Sequence, residues 1–367
     1  MKQTLRDFLC PQPKSKIKAG DGQLKGAYNF YTSSQIQSKF YHSATYTQPA
    51  LIFGTGGMAS VHYCNEPFST STDCLVMYGR LGAPLELIYY YLRSNMHLLQ
   101  DGFKGAGLQH ISKDYILNIN INMPAPSLQE QITHQMRLID AMINGKKQQI
   151  LSFDEAVKSR FIELFGDSEF NTMQWPTEKL SELCVVSSSK RIYQNEQSTE
   201  GVPFLRISDL NERIDNVKNA PELFIPINKY NELKENGLVP TEGDILVTSR
   251  GTLGRCYIVR PEDEFYFQDG MISWLSDLSH QITSLYLSQL FAMSGIQKQI
   301  ASLQAGSTVA YLSISMLKKL DIMLPPLNLQ NQFAVFVEQT DKSKLAVQKG
   351  LQELEILKKS LMQQYFG

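Results

Sequence analysis

The chain has 367 residues, of which 43% are hydrophobic and 19% are charged, and its formal net charge is −1. This length exceeds one ordinary domain and predicts two packed units, while the absence of an apolar run near the roughly 20 residues that span a bilayer argues against a membrane protein. The near-neutral charge supplies no general attraction to nucleic acid, so any DNA binding would depend on local basic patches.

The first residues and the cysteines favour the cytoplasm. Arg6 and Asp7 stand where a secretory signal needs an apolar stretch. The five cysteines are odd in number and form no C-x-x-C pair, which is unlike a disulfide framework or a zinc site. We expect no metal ion in this chain.

Residues 1–127 have the pattern of a mixed α/β domain. Short segments rich in aromatic and β-branched residues predict strands, and a helix is predicted over Leu85 to Leu99. The strand segments are YNFYTSS (28–34), PALIFGTG (49–56), ASVHYC (59–64) and CLVMYG (74–79).

Two loops of this domain are candidate DNA contacts, because glycine lets a backbone approach a ligand closely. The first loop contains Gly54, Thr55, Gly56 and Gly57, and the second contains Lys104 and Gly105. The alternative for the second loop is that it only caps the helix that follows.

A long amphipathic helix is predicted over residues 128–166. It begins just after Pro126 and ends at Gly166, and its apolar residues recur at heptad spacing. A helix of about 39 residues is roughly 58 Å long, too long to lie inside one domain of this size. We predict that it packs on a second such helix; an ordinary amphipathic helix on its own domain is the alternative. The main apolar row is Met136, Ile143, Ile150, Val157 and Leu164.

A turn-rich connector leads to a second mixed domain, residues 167–328, and to a second long helix, residues 329–367. A shorter helix is predicted over Ser284 to Gln304. The predicted strands are PFLRISDL (203–210), GDILVTS (243–249), RCYIVRP (255–261) and FYFQDGMISWL (265–275). The apolar face of the second long helix includes Leu351, Leu354, Leu357 and Leu361.

The loop from Ser249 to Arg255 is the strongest candidate for a binding site. Its arginines can hold a phosphate or the O6/N7 edge of guanine, and its hydroxyls can donate to phosphate. The plain alternative is a β-hairpin turn with solvated arginines. The candidates in and around this loop are Ser249, Arg250, Gly251, Thr252, Gly254, Arg255 and Arg206, and those in the loop before the second long helix are Gly306, Ser307 and Thr308.

The two halves are related by an ungapped offset of 201 residues, which places Gly105 on Gly306, Asp140 on Asp341 and Phe165 on Phe366. Such a repeat predicts a pseudo-two-fold α/β (α+β) fold: two tandem variable domains, each followed by a long helix, with the helices packed as an antiparallel coiled coil. Two similar but non-identical halves suit a DNA target with two non-identical half-sites. The first domain is about 35 residues shorter than the second, which leaves its specificity open.

Motifs of an independent DNA-modifying enzyme are missing from the sequence. FGTGG (53–57) is followed by no Asn-Pro-Pro-aromatic tetrapeptide for a flipped base, and no G-x-x-x-x-G-K-[ST] phosphate loop is present. We therefore expect a chain that is not catalytic alone and holds no cofactor.

Two copies of the pattern P-x-x-x-L-Q-x-Q, with the endings KSRFIELFG (158–166) and KKSLMQQYFG (358–367), resemble the specificity subunits of type I restriction-modification systems. The resemblance implies that the two tandem domains are target-recognition domains, each contacting one half of a split double-stranded DNA target, and that the long helices act as spacer and docking surface. The residues implied for that surface are Leu128, Gln129, Gln131, Met136, Ile143, Ile150, Val157, Leu329, Gln330, Gln332, Leu351, Leu354 and Leu361.

The partners implied by the resemblance are two methyltransferase subunits and the restriction-translocase subunits, on which S-adenosylmethionine, ATP and Mg are expected. Other assignments remain open at this point. The chain could serve a methylation-only system or be a silent recombination cassette. It could also be a structural tether that binds no DNA, or an autonomous methyltransferase.

Overall fold

The structure is a computed structural model that describes residues 3–105, 107, 109–217, 219–304 and 310–366. The chain divides into two compact units. Residues 1–149 and 346–367 form unit 1, and residues 150–345 form unit 2. The division into recognition domains and spacer helices made from the sequence stays a prediction, because these units are bounded differently.

Unit 1 starts with short strands and ends with helical segments. Its elements in chain order are β1 (Gln3–Thr4), α1 (Leu5–Phe8), β2 (Leu9–Pro11), β3 (Tyr28–Tyr31), β4 (Lys39–Tyr41), β5 (Ala50–Gly54), β6 (Ser60–Cys64), β7 (Phe68–Thr70), β8 (Cys74–Gly79), α2 (Leu85–Ser94), α3 (His97–Gln100), α4 (Lys113–Leu117), β9 (Asn120–Ile121) and the first part of α5 (Pro126–Phe165).

Unit 2 takes up the rest of α5 and repeats this order with two additions. Its further elements are β10 (Thr177–Lys179), α6 (Leu180–Leu183), β11 (Val185–Ser187), β12 (Val202–Leu205), α7 (Ile207–Ile214), β13 (Phe224–Ile225), α8 (Ile227–Glu235), β14 (Ile245–Thr248), β15 (Cys256–Ile258), β16 (Tyr266–Phe267), β17 (Ile272–Ser276), α9 (Ser284–Phe291), α10 (Ser294–Leu303), α11 (Ile314–Leu317), β18 (Asp321–Met323) and the first part of α12 (Leu327–Phe366).

The sheets of the two units have the same topology. A four-stranded sheet has the order β2-β8-β5-β6 in unit 1 and β11-β17-β14-β15 in unit 2, and a three-stranded sheet has the order β4-β3-β7 or β13-β12-β16. The pairing directions agree as well, since β3 with β7 and β12 with β16 are both parallel. The internal repeat predicted from the 201-residue offset therefore extends to the sheets, which lie upstream of the residues that the offset matches.

The long helices pack antiparallel within each unit. In unit 1 the Tyr365 hydroxyl donates to Gln135 Oε1 at 2.8 Å, and Lys358 pairs with Asp140. In unit 2 the rings of Phe161 and Phe333 lie 5.5 Å apart between centroids. Most of the predicted apolar rows are buried or half-buried on the unit cores. The predicted α/β fold with tandem domains and long helices is confirmed; Leu357 departs from its row, being 46% exposed.

Unit 2 differs from the sequence-based prediction near Arg206. PFLRISDL does not form one strand: β12 ends at Leu205, and α7 begins at Ile207. Helix α7 begins there because the Asp209 carboxylate accepts a hydrogen bond from the Arg206 backbone N–H at 2.8 Å and thereby caps the first turn.

Helices α7 and α8 supply part of the greater length of the second half. The corresponding stretches of unit 1, residues 32–38 and 42–49, are described throughout and contain no helix. The nine strands found among the described residues of unit 1 nevertheless correspond to those of unit 2, so the shorter first domain keeps the sheet framework. Among the described residues, no helix is both long and apolar enough to cross a membrane.

Candidate nucleic-acid interface

The candidate loop of unit 2 is the tip of the β14–β15 hairpin. Gly254 N–H donates to the Thr248 carbonyl at 2.9 Å, and Arg255 N–H donates to Thr248 Oγ1 at 3.0 Å. The Thr248 hydroxyl donates in turn to the Thr252 carbonyl at 2.5 Å. Because Thr248 is fully buried, these bonds fix the loop to the sheet and define the conformation of its tip.

Only part of this loop is open to solvent. Arg250, Gly251 and Thr252 are exposed, and a Cβ on Gly251 would meet nothing within 4 Å. The Ser249 side chain is 1% exposed, and its hydroxyl lies 2.7 Å from that of Ser273. The candidate role of Ser249 as a hydroxyl donor to DNA is therefore not supported by this arrangement.

Gly254 has an internal packing role. Its φ is +74°, and a Cβ there would lie 2.8 Å from Ile300 Cδ1 on α10. Only glycine combines that backbone conformation with such a close approach without strain. Gly254 therefore shapes the hairpin from inside the protein, whereas Gly251 is free to approach a ligand.

Arg250 is the arginine of this loop that is available for binding. Its guanidinium carbon lies 5.2 Å from the centroid of the Tyr311 ring, and the two residues form an isolated β-bridge. An exposed cation–π contact is worth about 0.5–1 kcal/mol, which orients a guanidinium while leaving its N–H groups free. This geometry suits a phosphate or a guanine edge.

The other two candidate arginines are engaged within unit 2. Arg255 donates to Asn211 Oδ1 at 2.7 Å and pairs with Asp215, both carried by or adjoining α7. Arg206 bonds with Asp209 and Glu222, which raises the pKa of its guanidinium. Binding DNA through either arginine would require exchanging these carboxylates for phosphate or base oxygens.

The matching loop of unit 1 has the same backbone frame, by which we mean that corresponding backbone hydrogen bonds hold both loops to the strands and loops around them. Thr55 N–H donates to the Asp73 carbonyl at 2.9 Å, as Ser249 N–H donates to the Met271 carbonyl at 2.8 Å. The Thr55 carbonyl accepts from Ile111 N–H at 3.2 Å, and the Ser249 carbonyl accepts from Leu312 N–H at 3.0 Å.

The side chains on these two frames differ. Gly56 bridges His110 where Arg250 bridges Tyr311. Gly57, with φ +80°, lies in open space like Gly251, whose φ is +70°. Gly54 is a packing glycine, since a Cβ there would lie 2.2 Å from Ser60 Oγ. The unit 1 loop thus keeps the turn but has no cation at its tip.

The second pair of candidate loops is only partly described. Lys104 and Gly105 are exposed, and Lys104 exchanges both backbone hydrogen bonds with His110 at 3.0 Å. This pairing places the loop beside Gly56. Gly306, Ser307 and Thr308 lie outside the described residues, so their candidate roles stay predictions.

The repeated glutamines at the start of the long helices have structural roles. Gln129 Nε2 donates to the Pro124 carbonyl, and Gln330 Nε2 donates to the Pro325 carbonyl, at 3.0 and 2.9 Å. Gln330 is fully buried, and its Oε1 also accepts from Thr283 N–H at 2.9 Å. A partner subunit cannot reach Gln330 in this arrangement, while Leu128, Gln131 and Gln332 are exposed.

The described residues offer no metal centre. No group of three or more His, Cys, Asp or Glu side chains among them could hold an ion. Burial raises the pKa of the Cys74 and Cys184 thiols to about 12, so neither thiol is ionised at neutral pH.

The sequence did not indicate the side-chain partners of Arg255. Asn211 and Asp215 lie 44 and 40 residues from Arg255 along the chain, and the strand predicted over residues 203–210 includes the first half of α7. Tyr311, by contrast, stands exactly 201 positions after His110, so the repeat could have paired these two residues.

Comparison with known proteins assigns a family. A family model described as the type I restriction modification DNA specificity domain matches residues 3–152 and 173–356. A type I restriction enzyme specificity subunit of Haemophilus influenzae is 22% identical over 341 residues, covering 90% of this chain and 84% of the relative. The MjaVIII specificity subunit of Methanocaldococcus jannaschii is 25% identical over 294 residues, covering 75% and 68%.

A solved structure has the same fold. The crystal structure of the type I restriction-modification S subunit from M. genitalium superposes with a TM-score of 0.62 at 16% identity, covering 100% of this chain and 96% of that one. At this identity the likeness concerns the fold.

Proposed function

The chain belongs to the type I restriction modification DNA specificity family, and from that premise we propose that it reads a bipartite DNA target, one half-site with each unit. In this proposal it docks two methyltransferase subunits and, where present, restriction-translocase subunits. S-adenosylmethionine, ATP and Mg bind to those partners, and the chain contributes recognition and spacing.

The observation that carries the proposal is the pairing of one backbone frame with two loop chemistries. The β5–β6 and β14–β15 turns are held by corresponding hydrogen bonds, yet one tip carries Gly56 and the other carries Arg250. Two copies of a scaffold with different tips are what reading two different half-sites requires, because base-edge contacts specify sequence whereas the scaffold only positions them.

The antiparallel helices support the spacing part of the proposal. Charged pairs with one partner on each helix occur in both units, Lys358 with Asp140 in unit 1 and Lys344 with Asp154 in unit 2. Such pairs fix the register of two helices. A fixed register keeps the length of the spacer constant.

The test is to co-express the chain with its candidate methyltransferase subunit and to map methylated adenine across random DNA by single-molecule sequencing. We expect a motif of two short half-sites separated by a fixed gap. Arg250→Ala should relax or abolish the sequence requirement in one half-site only, because a bidentate arginine–guanine contact contributes about 1–3 kcal/mol of discrimination.

Arg260→Ala is the matched control. Arg260 is also an exposed arginine over a tyrosine ring, 5.7 Å from the Tyr257 centroid, but it follows β15 at the end of the hairpin away from the loop. The Arg260→Ala substitution removes the same charge as Arg250→Ala and should leave the methylation motif unchanged. Equal motifs for all three proteins would reject the role of Arg250, and methylation that is independent of the chain would reject the proposed function.

A further inference from the structure

Two segments at the tip of unit 1 carry no charge and expose two large apolar side chains. Residues 33–37 (SSQIQ) and 55–59 (TGGMA) contain no charged residue. Ile36 is 74% exposed and Met58 is 67% exposed. Single exposed apolar residues are common on protein surfaces. Two in neighbouring loops of a proposed binding domain indicate a surface that a ligand group covers in the complex.

Hydrogen bonds hold these two segments together at one edge of the β5–β6 hairpin. Gln35 Nε2 donates to the Ala59 carbonyl at 3.0 Å, and the Ser60 hydroxyl donates to the Ser33 carbonyl at 3.1 Å. His62 Nε2 lies 2.8 Å from the Ser34 carbonyl. Burial lowers the pKa of this imidazole below its usual 6.5, so it is neutral at pH 7 and adds no charge.

Unit 2 has a charged surface in the corresponding place. Arg250 stands on the frame position of Gly56, and α7, with Asp209, Arg213 and Asp215, follows β12 where residues 32–38 follow β3. The same scaffold therefore carries cations and carboxylates at these positions in unit 2 and only neutral or apolar side chains in residues 33–37 and 55–59 of unit 1, where Lys104 lies on the neighbouring loop beside Gly56.

DNA offers one apolar group to a protein reading its major groove, the 5-methyl group of thymine; phosphates and guanine edges need cations or hydrogen-bond donors. We propose that Met58 and Ile36 form a thymine-methyl contact surface in unit 1, so that the half-site read by unit 1 is specified through at least one thymine 5-methyl group. This inference rests on the proposed function and adds the chemistry by which unit 1 reads.

The experiment replaces single thymines by deoxyuridine, which removes only the methyl group. The probe is a short duplex carrying the mapped bipartite motif, and the full complex with its methyltransferase subunits is titrated against it. At one or more positions of a single half-site we expect deoxyuridine to weaken binding about fourfold, the effect of leaving one methyl-sized group unburied.

The protein variants connect that effect to this surface. In Met58→Ser with Ile36→Ser, the same deoxyuridine substitution should have no further effect, and mapped methylation should tolerate other bases at that position. Leu81→Ser is the control. Leu81 is fully exposed, but it lies beyond Gly79, at the end of β8 opposite to Cys74, which pairs with Gly54 beside the loop.

The outcomes separate this inference from the proposed function. If no bipartite motif is found, the proposed function is rejected, and the thymine-methyl inference that rests on it is rejected with it. If a motif is found but deoxyuridine is harmless at every thymine, or the double variant keeps the full deoxyuridine effect, the thymine-methyl surface is wrong while the proposed function stands. A motif unchanged by the double variant, together with lost binding of the methyltransferase subunit, would assign Met58 and Ile36 to a protein partner and overturn the inference.

Discussion

Two glycines of the β14–β15 loop have nearly equal backbone angles but different surroundings. Both φ values are positive, +70° at Gly251 and +74° at Gly254, and only the latter is crowded, by Ile300. Gly251→Ala should therefore lower the free energy of unfolding by about 1–2 kcal/mol, the cost of a left-handed alanine. Gly254→Ala should cost at least ~1 kcal/mol more, because a buried side chain must move.

Urea unfolding followed by tryptophan fluorescence measures this difference, since Trp175 and Trp274 are the two tryptophans of the chain and both lie in unit 2. An equal loss of unfolding free energy in the two alanine variants would show that the Ile300 side chain moves aside without an energetic cost. Gly254 would then not be required for packing.

At the start of each long helix, a glutamine side chain donates a hydrogen bond to a proline carbonyl, and the two glutamines differ in burial. Gln330→Ala removes the acceptor for Thr283 N–H and the donor to two carbonyls in a buried place. We expect a loss of about 2–3 kcal/mol in the stability of unit 2, because each buried group left without a partner costs ~1–3 kcal/mol. Gln332→Ala, at an exposed position of the same helix turn, is the control and should be neutral.

Gln129→Ala should cost less, about 0.5–1.5 kcal/mol, because the half-buried Gln129 makes a single bond, to the Pro124 carbonyl. A loss at Gln332 as large as that at Gln330 would contradict the assignment, since it would mean that stability follows helix propensity at this end and not the buried network.

The long helices were predictable because heptad spacing is a local pattern that the chain repeats. The topology of the sheets was less accessible, since Phe204 of β12 pairs with Tyr266 of β16, 62 residues further along the chain, and no local pattern encodes that pairing. The same limit applies to the candidate site. Glycines and arginines marked the loop, but the burial of Ser249 and the capture of Arg255 by Asp215 depend on tertiary packing.

At the scale of the whole molecule, the proposed function implies that the length of the long helices sets the gap between the two DNA half-sites. One heptad inserted after Gln149 in α5 and one after Leu345 in α12 would lengthen both helices where each passes from one unit to the other. Seven residues add about 10 Å, or about three base pairs of DNA. A heptad also keeps the apolar rows in register.

We predict that the mapped gap between half-sites grows by about three base pairs while the half-sites themselves stay the same. The insertion in α5 alone is the control, and it should disrupt activity by breaking the pairing of the helices. An unchanged gap in the double insertion would show that helix length does not set the distance between the half-sites.

The most direct test of the central claim is the affinity of the assembled complex for duplexes in which neither, one or both half-sites are scrambled, measured at a single salt concentration. The claim predicts that scrambling either half-site alone weakens binding strongly, and that the intact site binds about a thousandfold or more tighter than the doubly scrambled duplex. Equal affinity for all of these duplexes would contradict it, because the chain would then hold the complex together without reading DNA.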